Sequence, residues 1–231
     1  MVSRETAVPE PPEPPEPPDL PDWLVPAAAP LARYAELLVG PGTERGLLGP
    51  REGPRIWDRH ILNCAVVADP KAGLIPADGH VADIGSGAGL PGVVWAIARP
   101  DITVVLIESL LRRVTFLTEC VHELNLTDRV QVVRARAEEA GDRVGAADGG
   151  LDVVTARAVA PLGTVAAWSA PLIRLGGLLV ALKGESAQEE VDRDADQLRA
   201  SGLVDPQVLT VGQGVVEPPT TVVTARRAAA Q

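Results

Sequence analysis

Val81-Ala82-Asp83-Ile84-Gly85-Ser86-Gly87-Ala88-Gly89-Leu90-Pro91-Gly92 is the stretch on which the reading of the chain turns. His80–Ile84 reads as a buried strand, and the segment from about Pro91 to Arg99 as an apolar helix. The turn between them carries glycines at 85, 87 and 89, so no Cβ stands between a ligand and the backbone there. Helix N-terminal N–H groups follow at once and suit a polar or anionic group. Gly87-x-Gly89-x-x-Gly92 also satisfies the dinucleotide fingerprint, a match that is weak by itself.

Outward from this turn, strands and helices alternate. Thr103–Ile107 is the next strand, and Ser109 is expected to cap a helix running to about Leu124. Strands follow at about Arg129–Val133 and Leu151–Thr155, then a helix from about Pro161 to Ile173 and a strand at Gly177–Leu182. An acidic surface helix at 187–200 and a closing strand pair, Pro206–Val211 and Thr220–Ala225, complete the pattern. It predicts an α/β fold, a mostly parallel sheet with helices on both faces and a ligand at the carboxyl ends of the first strands. Upstream, Leu31, Tyr34, Leu37 and Leu38 recur at helical spacing, and Ile61, Leu62, Ala65, Val66 and Val67 stripe a second helix from about Ile56 to Asp69. The expected organisation is a disordered Pro/Glu-rich tail over 1–26, a helical segment over 27–75 packed on the core, and the α/β core over 76–231.

Two acids bear on the ligand. Asp83 stands two residues before the first glycine, where it repels a phosphate and welcomes an ammonium, or else caps the turn. Glu108 follows the second strand, where a carboxylate can accept both ribose hydroxyls. An acid at each strand end suits S-adenosylmethionine, which has an ammonium and a ribose but no pyrophosphate. A non-catalytic NAD-binding Rossmann protein and a small-molecule methyltransferase remain the alternatives.

Composition narrows the class. The 231 residues are 46% apolar and 23% charged, which excludes wholesale disorder, and no apolar stretch is long enough to span a bilayer. Two cysteines, Cys64 and Cys120, make no disulfide framework or metal spacing and read as buried thiols. The net charge of −10 sits in two segments, 1–26 and 185–205, and the rest of the chain is neutral, with arginines grouped at 51, 55 and 59, at 112 and 113, and at 134 and 136. An acidic total therefore leaves room for a local basic face.

The run from Asp83 to Gly92, with Arg99-Pro100-Asp101, Arg112-Arg113 and Phe116-Leu117 beyond it, resembles the glucose-inhibited division protein B family of 16S ribosomal RNA methyltransferases G. Arg59-His60-Ile61-Leu62-Asn63, Arg136-Ala137-Glu138-Glu139, Thr155-Ala156-Arg157-Ala158 and Ala181-Leu182-Lys183-Gly184 add to the likeness, which spans roughly residues 30–227. The resemblance implies a Rossmann-like class I methyltransferase fold of seven strands. It implies methyl transfer from S-adenosylmethionine to N7 of a guanine in 16S ribosomal RNA, free or in the small subunit. The corresponding expectation is a cytoplasmic monomer with no metal and no membrane contact. Cofactor contacts carried over fall on Gly85, Leu90, Ala137, Glu138 and Arg157, to which our own reading adds Asp83, Gly87, Gly89 and Glu108.

Guanine N7 has a lone pair and no proton, so its methylation needs positioning and no general base. Consistent with this, no Asn/Asp-Pro-Pro-aromatic tetrad follows the fourth strand. Arg157 and Lys183 are the candidates to hold guanine O6 or a phosphate, with an ion pair to a loop carboxylate the alternative for Arg157 and a lysine left there by composition alone the alternative for Lys183. Lys183 is one of only two lysines, the other being Lys71. His60 and Asn63, one helical turn apart, join Arg112, Arg113 and Arg136 as candidate RNA contacts, with capping or core hydrogen bonding the alternative for the first two. Trp57 and Trp168 either stack a base or pack the core.

Overall fold

The computed structural model describes residues 14–49, 51–144 and 149–228. Seven strands form one sheet: β1 (His80–Ile84), β2 (Thr103–Glu108), β3 (Val130–Arg134), β4 (Leu151–Arg157), β5 (Ile173–Lys183), β6 (Leu203–Val211) and β7 (Thr220–Arg227). Their order is β3-β2-β1-β4-β5-β7-β6, with β1 to β5 parallel and β7 antiparallel to both neighbours. The parallel strands are covered on both faces, which is why Thr103–Ile107 reads as a near-continuous apolar run. From β1 the chain first builds outward through β2 and β3, then returns to β4 on the other side of β1. The crevice where the order reverses opens at the carboxyl ends of β1 and β4.

Strand periodicity divides the core. Val81 joins a cluster with Tyr34, Trp95, Leu106 and Phe116, while Ala82 and Ile84 join a second with Val154, Leu162 and Val191. The first face carries α1 (Ala28–Leu37), a helical run over residues 53–68, α3 (Gly92–Ala98) and α4 (Leu111–Glu123); the run includes a wide π-type segment, Ile56–Leu62, and a short α2 (Asn63–Ala65). The second face carries α5 (Leu162–Ser169) and α6 (Ala187–Ala200). Arg99, after α3, locks the start of the core to the 53–68 run. It donates to Ala68, Ile75 and Pro76 carbonyls and pairs with Asp101 at 2.6 Å.

Four expectations change. Ser109 caps nothing with its hydroxyl; α4 begins at Leu111 because the Glu108 carboxylate takes the Ser109 and Leu110 N–H groups at 2.8 and 2.9 Å. The expected 161–173 helix ends at Ser169, and Ile173 already belongs to β5, paired with Leu151 across a register shift. Both strands of the closing pair are longer than read, because side chains beyond the apolar stretch still continue the ladder. Part of the 1–26 segment is packed: Leu24 is fully buried and Val25–Ala27 forms a 3-10 turn, since Leu20 and Leu24 supply the apolar anchors that the Pro/Glu repeat lacks. Residues 1–13 of that segment lie outside the described ones.

Candidate cofactor and substrate site

Two cavities open at the reversal point. The first, of about 750 Å³, runs along the carboxyl ends of β1, β2 and β3 and is lined by Gly85, Glu108, Arg113, Ala137, Glu138 and Trp168, among others. The second, of about 1050 Å³, lies over β4, β5 and the start of β7, with Arg55, Arg59, Asn63, Arg157, Lys183 and Thr221 in its wall. Ala158 and Val159, just past β4, line both.

The floor of the first cavity is built by the glycine turn and Glu108. Gly85 has φ +67°, and a Cβ there would come within 2.8 Å of the Val159 side chain. The Gly85 and Ser86 N–H groups donate to Ile107 O at 2.8 and 3.1 Å, strapping the turn to β2. Glu108 is 3% exposed and gathers the Gly87, Ser109 and Leu110 N–H groups and, at 3.4 Å, the Arg113 guanidinium. Its carboxylate thus faces the cavity as a fixed acceptor whose charge is already supported.

Asp83 is placed by the strand's two-residue period on the same face as Val81, toward α3. Its Oδ2 accepts the Gly92 N–H at 2.9 Å, while Oδ1 is buried with no hydrogen-bond partner among the described residues. Burial pushes this carboxyl up to about 7, against the Gly92 N–H, which favours its charge. Beneath the turn, the fully buried Tyr34 hydroxyl donates to Ala88 O at 2.6 Å, and a Cβ on Gly89 would meet that hydroxyl and Val93.

Arg157 ends β4 half-buried and pairs with no carboxylate among the described residues. Its Nη1 donates to Cys64 Sγ at 3.0 Å, and its Nη2 donates to Arg59 O at 2.9 Å and lies 3.4 Å from His60 Nδ1. Lys183, at the end of β5, donates instead to Glu190 Oε2 at 2.7 Å and to Ala160 O at 3.2 Å. The same Glu190 and its neighbour Asp194 accept the Leu162 and Gly163 N–H groups and so cap α5.

The family model described as GidB, rRNA small subunit methyltransferase G, matches residues 27–217. The chain belongs to the GidB family. Relatives carrying the name Ribosomal RNA small subunit methyltransferase G include one from Corynebacterium glutamicum, 52% identical over 84% of this chain and 84% of its own. Another, from Salinispora tropica, is 56% identical over 82% of this chain and 77% of its own. Among solved structures, the S-adenosylmethionine-dependent methyltransferase SibL in its apo form aligns with TM-score 0.58 at 17% identity, covering 90% of this chain and 70% of that one. Precorrin-6y C5,15-methyltransferase from Geobacter metallireducens aligns with TM-score 0.51 at 16% identity over 71% and 87% of the two chains. The fold is thus the Rossmann-like class I methyltransferase fold, and membership of the GidB family sets aside both the NAD-binding and the small-molecule alternatives.

Of the residues singled out from the sequence of this GidB protein, Gly85, Glu108, Ala137 and Glu138 share the first cavity. Asp83, Gly87, Gly89 and Leu90 line neither cavity: Asp83 caps α3, Gly87 spends its N–H on Glu108, and Gly89 turns inward on Tyr34 and Val93. Arg113 and Arg136, expected on RNA, stand in the wall of the first cavity, and Arg112 is exposed outside both. Asn63 reaches the second cavity, whereas the His60 side chain, 13% exposed, turns inward between Glu52 and Arg157. Of the two tryptophans, Trp168 lines the first cavity and Trp57 is packed, its indole N–H on Pro15 O. Both cysteines are buried, and burial raises both thiols, Cys120 to about 12. Sequence reasoning missed Glu52, Glu190 and Asp194, whose roles depend on tertiary neighbours and leave no local pattern.

Proposed function

We propose that this protein transfers a methyl group from S-adenosylmethionine to N7 of a guanine in 16S ribosomal RNA, with the cofactor in the first cavity and the guanine in the second. The observation that carries this reading is the shared Ala158–Val159 wall, where two cavities of unlike lining adjoin at the topological switch point.

The residues present fit the cofactor. Glu108 offers a buried, fixed carboxylate to a ribose, and Gly85 leaves the turn open where a side chain would collide with Val159. Asp83, fully buried and outside the first cavity, serves the site indirectly by holding the Gly92 N–H and with it the end of the turn. Ala137 and Glu138, at the start of the turn after β3, complete the wall. When bound, S-adenosylmethionine supplies a methyl group on a sulfonium centre, activated for direct transfer.

The chain's own part is positioning. Guanine N7 needs no deprotonation, so orientation and exclusion of water supply the catalytic gain. Arg157, with no carboxylate at ion-pair distance among the described residues, is suited to grip guanine O6 or a phosphate and leave N7 free. Lys183 acts one step back: through Ala160 O it braces the loop that divides the cavities.

The test is transfer of labelled methyl from S-adenosylmethionine to small subunits isolated from cells lacking this gene, followed by mapping of N7-methylguanine. One N7-methylated guanine in 16S ribosomal RNA is expected. Label on a base carbon, an exocyclic amine or a small metabolite would overturn the reading.

A further inference from the structure

The inward turn of His60 is the feature that the cofactor and guanine sites leave unused. Its ring joins two partners of opposite demand. Glu52 Oε2 lies 2.8 Å from Nε2, and Arg157 Nη2 lies 3.4 Å from Nδ1. An ionised carboxylate only accepts and a guanidinium only donates, so one neutral tautomer satisfies both: the proton on Nε2 faces Glu52 and the Nδ1 lone pair faces Arg157. Two further acceptors from the same helical run, Arg59 O and Cys64 Sγ, hold the other guanidinium contacts. All three acceptors are neutral. They fix the direction of the Arg157 fork without cancelling its charge, which a carboxylate in their place would do.

We propose that Glu52 and His60 are positioning residues for Arg157, holding its guanidinium at the edge of the second cavity so that it meets the substrate pre-oriented and still fully charged. The inference rests on the proposed guanine site. It also gives the 53–68 run a catalytic purpose, since the helix supplies the cradle for a residue on β4.

The groups facing His60 are Glu52 from the loop ahead of the run, Arg59 beside it and Arg157 from β4, with Arg55 near Glu52. Burial, aided by Arg157 and Arg59 and opposed by Glu52, holds the imidazole below its ordinary value of 6.5, so it is neutral at pH 7 and above. Protonation at lower pH places an N–H on Nδ1, removing the acceptor and adding a like charge against Arg157. Activity should therefore fall on the acid side as His60 titrates.

The experiment compares kcat at saturating S-adenosylmethionine between pH 5 and 8.5, together with the histidine ring 15N shifts, which report the tautomer without turnover. His60→Ala is expected to lose about tenfold or more in kcat, with KM for the cofactor unchanged. His60→Gln, whose amide can donate to Glu52 and accept from Arg157 with no charge to titrate, is expected to recover most of that loss and to flatten the acid limb. Glu52→Gln removes the group that favours the imidazolium and should move the limb to lower pH. An Nδ1–H tautomer in the wild type, or the wild-type acid limb persisting in both Gln variants, would overturn the proposal; these readings stand even if His60→Ala fails to fold. A wild-type protein that methylates no ribosomal RNA would count against the proposed function, while the tautomer would still decide the positioning claim.

Discussion

At Asp83 the strand's period and the pull of the ligand work against each other. Position 83 is in phase with Val81, so the carboxylate points toward α3 and finds the Gly92 N–H, and burial raises its pKa to about 7. The acid was legible in the sequence, but its direction required placing α3 over that face of the sheet. Because the folded value lies above the unfolded 3.8, the stability this group lends is complete below pH 3.8 and lost as pH rises to about 7. The loss amounts to about 4 kcal/mol at most, taking 1.36 kcal/mol per tenfold change. Asp83→Asn keeps an acceptor for Gly92 and cannot ionise. In urea denaturation of the ligand-free protein, the wild type should lose stability relative to Asp83→Asn between pH 5.5 and 8; parallel curves would mean that the carboxyl is not buried as described. His60 teaches the same lesson from the other side. Its motif was visible, but Glu52 approaches from a loop with no periodic signal, and the pair is seen only once the chain is folded.

Among the elements, the glycine turn was the most legible, because positive φ and absent side chains leave a mark in the sequence itself. Gly85 illustrates it: φ is +67° and an added Cβ would sit 2.8 Å from Val159. Gly85→Ala should therefore cost about 1–3 kcal/mol in stability and weaken binding of S-adenosylhomocysteine. Gly141→Ala, at an exposed site where nothing lies within 4 Å of the new Cβ, is the control. Equal stability and affinity of Gly85→Ala and the wild type would show that the turn is not confined by Val159. The strand–helix alternation was equally readable, because parallel strands buried on both faces carry unbroken apolar runs. Element ends were not. Ser109 looked like a cap, yet Glu108 performs that task from β2, and Glu190 and Asp194 cap α5 from α6, 28 and 31 residues along the chain. Caps supplied across the fold are invisible to local spacing.

For the molecule as a whole, the distribution of charge matters more than its total. The −10 net charge is concentrated in 1–26 and 185–205, but Glu185 and Glu190 of the second segment join Asp58 and Glu217 in the wall of the second cavity beside Arg55, Arg59, Arg157 and Lys183, so RNA is met there by particular guanidinium groups and not by a uniformly basic face. Binding to small subunits should weaken steeply with salt, because each phosphate contact releases counterions. Arg55→Ala should lower the log–log slope by about 1 if that side chain meets a phosphate. S-adenosylhomocysteine affinity, measured alongside, should barely respond to salt. An unchanged slope in Arg55→Ala would remove that face of the second cavity from the RNA path. The two cavities were anticipated only as one crevice at the strand ends; their separation depends on the 158–160 loop and on Lys183 holding Ala160, which no local sequence pattern specifies.

In the proposed function the sulfonium donor occupies the cavity over Gly85 and Glu108, with the guanine entering from the Arg157 side of the Ala158–Val159 wall. A crystal structure with S-adenosylhomocysteine bound tests this most directly. The ribose is expected on the Glu108 carboxylate, the ligand along Ala137 and Glu138, and the sulfur directed toward Arg157 across that wall. Density for the ligand in the second cavity, with the Gly85 turn left bare, would contradict it.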